Sequence, residues 1–135
     1  MLRPSAIRRL HLWPALLALP LLLAARPARP APEFHLHLKH AEPGVNDTVA
    51  VAPKVIRLWF TERPEAAVAR IELRGPGGAA VAVAKPAIEA GEDAPLTAQV
   101  TGAMAPGAYT VIWRAMSADG HAMRGSFKFL FRPGK

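Results

Sequence analysis

Tyr109-Thr110-Val111-Ile112-Trp113-Arg114-Ala115 places tyrosine, valine, tryptophan and alanine at every second position. Successive side chains of a strand point to opposite faces, so this spacing predicts a strand with one face buried in a core. Phe127, Phe129 and Phe131 repeat the pattern near the end of the chain. Upstream, Ile56, Leu58 and Phe60 share a face within 54–61, and Ala69, Ile71 and Leu73 alternate with Arg70, Glu72 and Arg74. Gly75-Pro76-Gly77-Gly78 then supplies a hairpin turn into Ala79–Ala84. Leu36 and Leu38 alternate with His35, His37 and Lys39, and 96–101 reads as a weaker strand. No segment keeps a 3.6-residue apolar period for three turns, which excludes a helical domain. Seven short strands with turn signals between them predict an all-β, antiparallel, Greek-key sandwich or barrel of immunoglobulin-like type.

The 135 residues suffice for one such domain. Fourteen prolines and ten glycines suit a turn-rich fold. With no cysteine, a disulfide framework, a zinc ribbon, a thiolate nucleophile and a blue-copper centre are all excluded.

Residues 1–25 read as a signal peptide. Arg3, Arg8 and Arg9 precede Ala15–Ala25, in which only Pro20 interrupts alanine and leucine. As a helix that run would be about 16 Å long, roughly half the hydrocarbon thickness of a bilayer. It is therefore expected to direct export, with cleavage after Ala25, and not to anchor the protein. Residues 26–34, with their repeated prolines, are expected to form an extended tether. The folded domain is expected over 35–135, exported and soluble.

The net charge of +7 belongs largely to the leader and tether. From His35 onward twelve bases face nine acids, with no block of like charge along the sequence. Nucleic-acid binding calls for a concentrated basic stripe, so no nucleic-acid partner is expected.

Histidine placement carries the chemistry. His35 and His37 lie two apart on a strand and project together, whereas His40 has the opposite parity. His121 ends the turn Ser117-Ala118-Asp119-Gly120-His121, two residues beyond Asp119. Two imidazoles meeting an Asp–His pair make a nitrogen–oxygen set without sulfur, which suits tetragonal Cu(II) better than zinc or nickel. The plainer alternatives are a solvated His-x-His strand and an Asp119 that only caps its turn. Met104, Met116 and Met123 are dispersed and read mainly as core filling. No serine nucleophile with partners and no phosphate loop is present, so an enzyme is not expected.

Several segments together resemble the CopC-type periplasmic copper-resistance proteins, the YobA-like branch included. They are His35-Leu36-His37-Leu38, Glu42-Pro43-Gly44, Ala52-Pro53-Lys54-Val55, Leu58-Trp59-Phe60-Thr61, Pro106 to Arg114, Ser117 to His121, and Gly125-Ser126-Phe127-Lys128-Phe129. The Pro-Gly-x-Tyr segment also suits a tyrosine-corner-like device. The resemblance implies a Cu(II) carrier or buffer whose ligands are His35, by amine and imidazole, with Asp119 and His121. It also implies a CopD-type inner-membrane permease as partner. Residues 75–84 hold no methionine, which implies a member without a thioether Cu(I) site. In the family the ligand histidine directly follows the cleavage site. Here cleavage after Ala25 leaves His35 internal, and His37 becomes the natural replacement for the missing amine. A metal-free immunoglobulin-like interaction module and a copper-dependent oxidative enzyme are the competing readings.

Overall fold

The computed structural model describes residues 36–134, so the expected signal peptide, the expected tether and His35 lie outside the described residues. The fold is all-β: two sheets pack face to face around a single apolar core. The strands are β1 (Leu38–Glu42), β2 (Thr48–Val49), β3 (Val55–Phe60), β4 (Arg70–Arg74), β5 (Ala80–Val81), β6 (Ala87–Ile88), β7 (Leu96–Gln99), β8 (Gly107–Met116) and β9 (Ala122–Phe131). One sheet has the order β1-β3-β7-β6 and the other β2-β9-β8-β4-β5. The chain crosses between the sheets at β1–β2, β2–β3, β3–β4, β5–β6 and β7–β8, as in a Greek-key sandwich.

The expected strands are present, with differences that have local causes. β2 and β6 are two residues each, too short to show a period of two. β2 pairs with β9 in parallel, whereas the other pairs are antiparallel. β9 starts at Ala122, because ten residues of continuous register with β8 extend it beyond its phenylalanines. Among the described residues, no helix is long and apolar enough to cross a membrane.

The alternation seen in the sequence becomes the core. β8 buries Tyr109, Val111, Trp113 and Ala115, β9 buries Phe127, Phe129 and Phe131, and β3 answers from the other sheet with Ile56, Leu58 and Phe60. Phe60 and Trp113 meet edge to face across the two sheets, with centroids 5.1 Å apart. Tyr109 is 1% exposed, stacks on Phe129, and donates its hydroxyl to the Ala105 carbonyl at 2.6 Å. This bond ties β8 to the turn before it, as the Pro-Gly-x-Tyr segment suggested. Met104 and Met123 pack against the core, in keeping with a filling role.

Candidate metal centre

Ser117–His121 is the turn between the two longest strands, β8 and β9. The Ser117 N–H donates to the His121 carbonyl at 3.0 Å, and the Gly120 N–H to the Ser117 carbonyl at 3.0 Å. Gly120 has φ of 89°, a left-handed conformation that glycine adopts without a Cβ clash. That bend lets the side chains on either side of it converge. His121 Nδ1 lies 2.7 Å from Asp119 Oδ2, and the His121 N–H donates to Asp119 Oδ1 at 3.2 Å.

Ser117 organises the pair. It is buried, its hydroxyl donates to Asp119 Oδ1, and its Oγ also lies 3.2 Å from the His121 carbonyl oxygen. The Asp119 carboxyl is consequently held well below the ordinary carboxylate range. The Ser117 hydroxyl is the largest cause, followed by the His121 ring and backbone N–H. The sequence pattern alone does not assign this role to Ser117, although a serine two residues before an aspartate is a signal for it.

The chemistry of the pair follows from its hydrogen bonds. An Nδ1–H donated to a carboxylate selects the imidazole tautomer whose lone pair is on Nε2. The side chains of His121 and Asp119 are 75% and 56% exposed, so the turn presents a nitrogen and an oxygen donor to the surface. Such a pair can take a borderline divalent cation if further donors join it.

His37 is exposed just before β1, and both its backbone N–H and its carbonyl are bonded to Thr61. Its N–H donates to Thr61 Oγ1 at 2.9 Å, and its carbonyl accepts from the Thr61 N–H at 2.8 Å. A few residues after Thr61, the Glu65 N–H donates to the Met116 carbonyl at the end of β8. These links bring the start of β1 and the Asp119–His121 turn to the same end of the sandwich. Among the described residues, no three His, Asp or Glu side chains gather closely enough to hold a metal ion. His35, the remaining expected ligand, lies outside the described residues.

His40 departs from the parity read in the sequence. The register of β1 against β3 shifts between Leu38 and His40, a bulge that turns His40 outward and Ala41 inward. The His40 ring then lies 4.9 Å from the Trp59 ring, with Nε2 3.7 Å from Glu42 Oε1.

The comparisons with known proteins agree with this architecture. The CopC domain family matches residues 38–132, a span that includes Asp119 and His121 and begins just after His35 and His37. Protein YobA of Escherichia coli strain K12 is 30% identical over 95 residues, covering 70% of this chain and 77% of the relative. Among solved structures, CopC from Methylosinus trichosporium OB3b superposes with a TM-score of 0.68 at 31% identity, over 75% of this chain and 97% of that one. PcoC, a methionine-rich copper resistance protein from Escherichia coli, gives 0.65 at 29% identity, over 73% and 99% of the two chains.

Proposed function

The chain belongs to the CopC domain family, and from that membership and its own donor set we propose that it binds copper as Cu(II) in the periplasm. It carries or buffers the ion in copper resistance and turns over no substrate. The observation that carries this reading is the Asp119–His121 pair, prearranged by Ser117 in the hairpin turn within the matched span.

In this reading copper is cargo. His121 binds through Nε2, and Asp119 exchanges one of its turn hydrogen bonds for the metal. The further donors are His35 and His37, which precede β1 in the chain. All donors are nitrogen or oxygen, as tetragonal Cu(II) prefers. Only three methionines follow Met1 and none falls in 75–84, which favours Cu(II) over thioether-bound Cu(I). A monomer suffices for such a site. A CopD-type permease as exchange partner rests on the family resemblance.

The test is titration of the full chain with Cu(II), followed by electron paramagnetic resonance. One equivalent is expected to give a nitrogen-rich tetragonal signal that is lost in His121→Ala. Featureless weak binding would overturn the reading in favour of a metal-free module, and oxygen-dependent product formation would overturn it in favour of an enzyme.

A further inference from the structure

The bases that are scattered along the sequence converge on one surface. On the outer face of the five-stranded sheet, Arg70 of β4, Arg114 of β8 and Arg124 of β9 are register partners in one row. Two residues along, the row is Glu72, Ile112 and Ser126, and the next is Arg74, Thr110 and Lys128. All five of these cations are exposed. The face thus carries five bases against one acid, Glu72, which is engaged by Arg74 at 3.0 Å.

Like charges directly opposite one another across strands repel. Among the described residues, no carboxylate lies within ion-pair distance of Arg114, Arg124 or Lys128. Arg70 is satisfied only in part, by the carbonyl of its neighbour Ala69 at 2.8 Å. The arrangement leaves a broad, uncompensated positive field on a sheet face, the complement of a negative surface.

We propose that this outer face is a docking surface for anionic phospholipid headgroups. The field selects an anionic occupant, and the composition of the face selects a lipid one. Cores of protein–protein interfaces combine arginine with large aromatic and methionine anchors. Here the central large apolar side chain is Ile112, at 37% exposure, between Glu72 and Ser126 in its own row and flanked by Thr110 and the cations, with no aromatic or methionine beside it in these rows. Laterally mobile headgroups can follow the spacing of the cations without a shaped partner. Each cation near such a surface adds attraction that fades within a Debye length, about 10 Å at 0.1 M salt. Arg114 and Arg124 lie two and three residues from Met116 and His121, so a docked sheet would hold the copper-binding turn at the rim of the membrane contact. The proposal does not depend on copper being bound.

The experiment is co-sedimentation of the full chain with two kinds of vesicle, phosphatidylcholine alone and an equal mixture with phosphatidylglycerol, at low and high salt. The parent is compared with the Arg114→Gln/Arg124→Gln double variant and with a Lys39→Gln/Lys54→Gln control that removes equal charge in β1 and just before β3, away from this face. Arg3, Arg8 and Arg9 are unchanged throughout, so the comparison isolates the face. Affinity for the anionic vesicles is expected to fall roughly thirtyfold in the face variant, to change far less in the control, and to weaken with salt. The melting midpoint of the face variant should equal or exceed the parent's at low salt, since an opposed pair of like charges is relieved. Equal losses in the two variants, or equal binding to neutral and anionic vesicles, would overturn the proposal. Retention by duplex DNA but not by vesicles would also overturn it, and would assign the face to nucleic acid.

Discussion

The indole of Trp113 fills the space that a side chain at Gly125 would need. These residues are register partners on β8 and β9, and a Cβ on Gly125 would stand 2.6 Å from Cζ2 and 2.8 Å from Cε2 of the indole. The tryptophan is also the one that meets Phe60 across the core. Gly125→Ala is therefore expected to displace a ring that joins both sheets, at a cost of about 1–3 kcal/mol. Urea unfolding checks this, and Trp113→Phe should partly relieve the penalty in the double variant. Additive losses would show that the two residues do not compete for space.

Tyr109 and Phe129 separate a hydrogen bond from a packing contribution. Phe129→Ala opens a cavity beneath the Tyr109 ring and should cost about 3–5 kcal/mol, enough to unfold a marginal domain. Tyr109→Phe removes only the bond to the Ala105 carbonyl. Ala105 is exposed, so water can take over its carbonyl, and a loss of about 1 kcal/mol is expected. A near-parental midpoint for Phe129→Ala would contradict the core described above.

Ser117→Ala should raise the Asp119 pKa toward the ordinary carboxylate value, because it deletes the largest cause of the depression. The sign for stability follows from linkage. A carboxyl depressed in the folded state stabilises it above the unfolded-state pKa, about 3.9. That stabilisation is lost as the pH falls from there toward the lower folded-state value. The stability gap between parent and Ser117→Ala should thus be full near neutrality and narrow below about pH 4. Carboxyl NMR titration of Asp119 and unfolding at several pH values check both statements.

Processing decides how much His37 matters. In a protein beginning at Arg26, His35 is internal, and His37→Ala should weaken Cu(II) binding strongly. In a protein beginning at His35, the amine and imidazole of one residue chelate together at high effective concentration, and the same substitution should matter much less. Competition titrations on both forms, their termini checked by mass spectrometry, test this. Equal affinities with no effect of His37→Ala in either form would remove His37 from the site. In both forms affinity should drop as the pH falls, because a protonated imidazole has no lone pair to offer the metal.

The sequence by itself determined the class of fold and the turn that carries the candidate site. Period-two burial is a local property, so Tyr109, Val111, Trp113, Phe127 and Phe129 could be assigned to the core without knowing their partners. Asp119, Gly120 and His121 are likewise close in sequence, and their convergence needs only one glycine bend. Tertiary structure decided what depends on register. The bulge that turns His40 outward onto Trp59 arises from the pairing of β1 with β3, which no local pattern records. The role of Ser117 depends on its burial at the end of β8. The charged face is the clearest case: Arg70 is far in the chain from Arg114 and Arg124, which stand on the two arms of one hairpin, and each alone reads as an ordinary exposed strand position. Only the pairing of β4 with β8 and of β8 with β9 sets them side by side, because strand register is fixed by long-range contacts across the sheet.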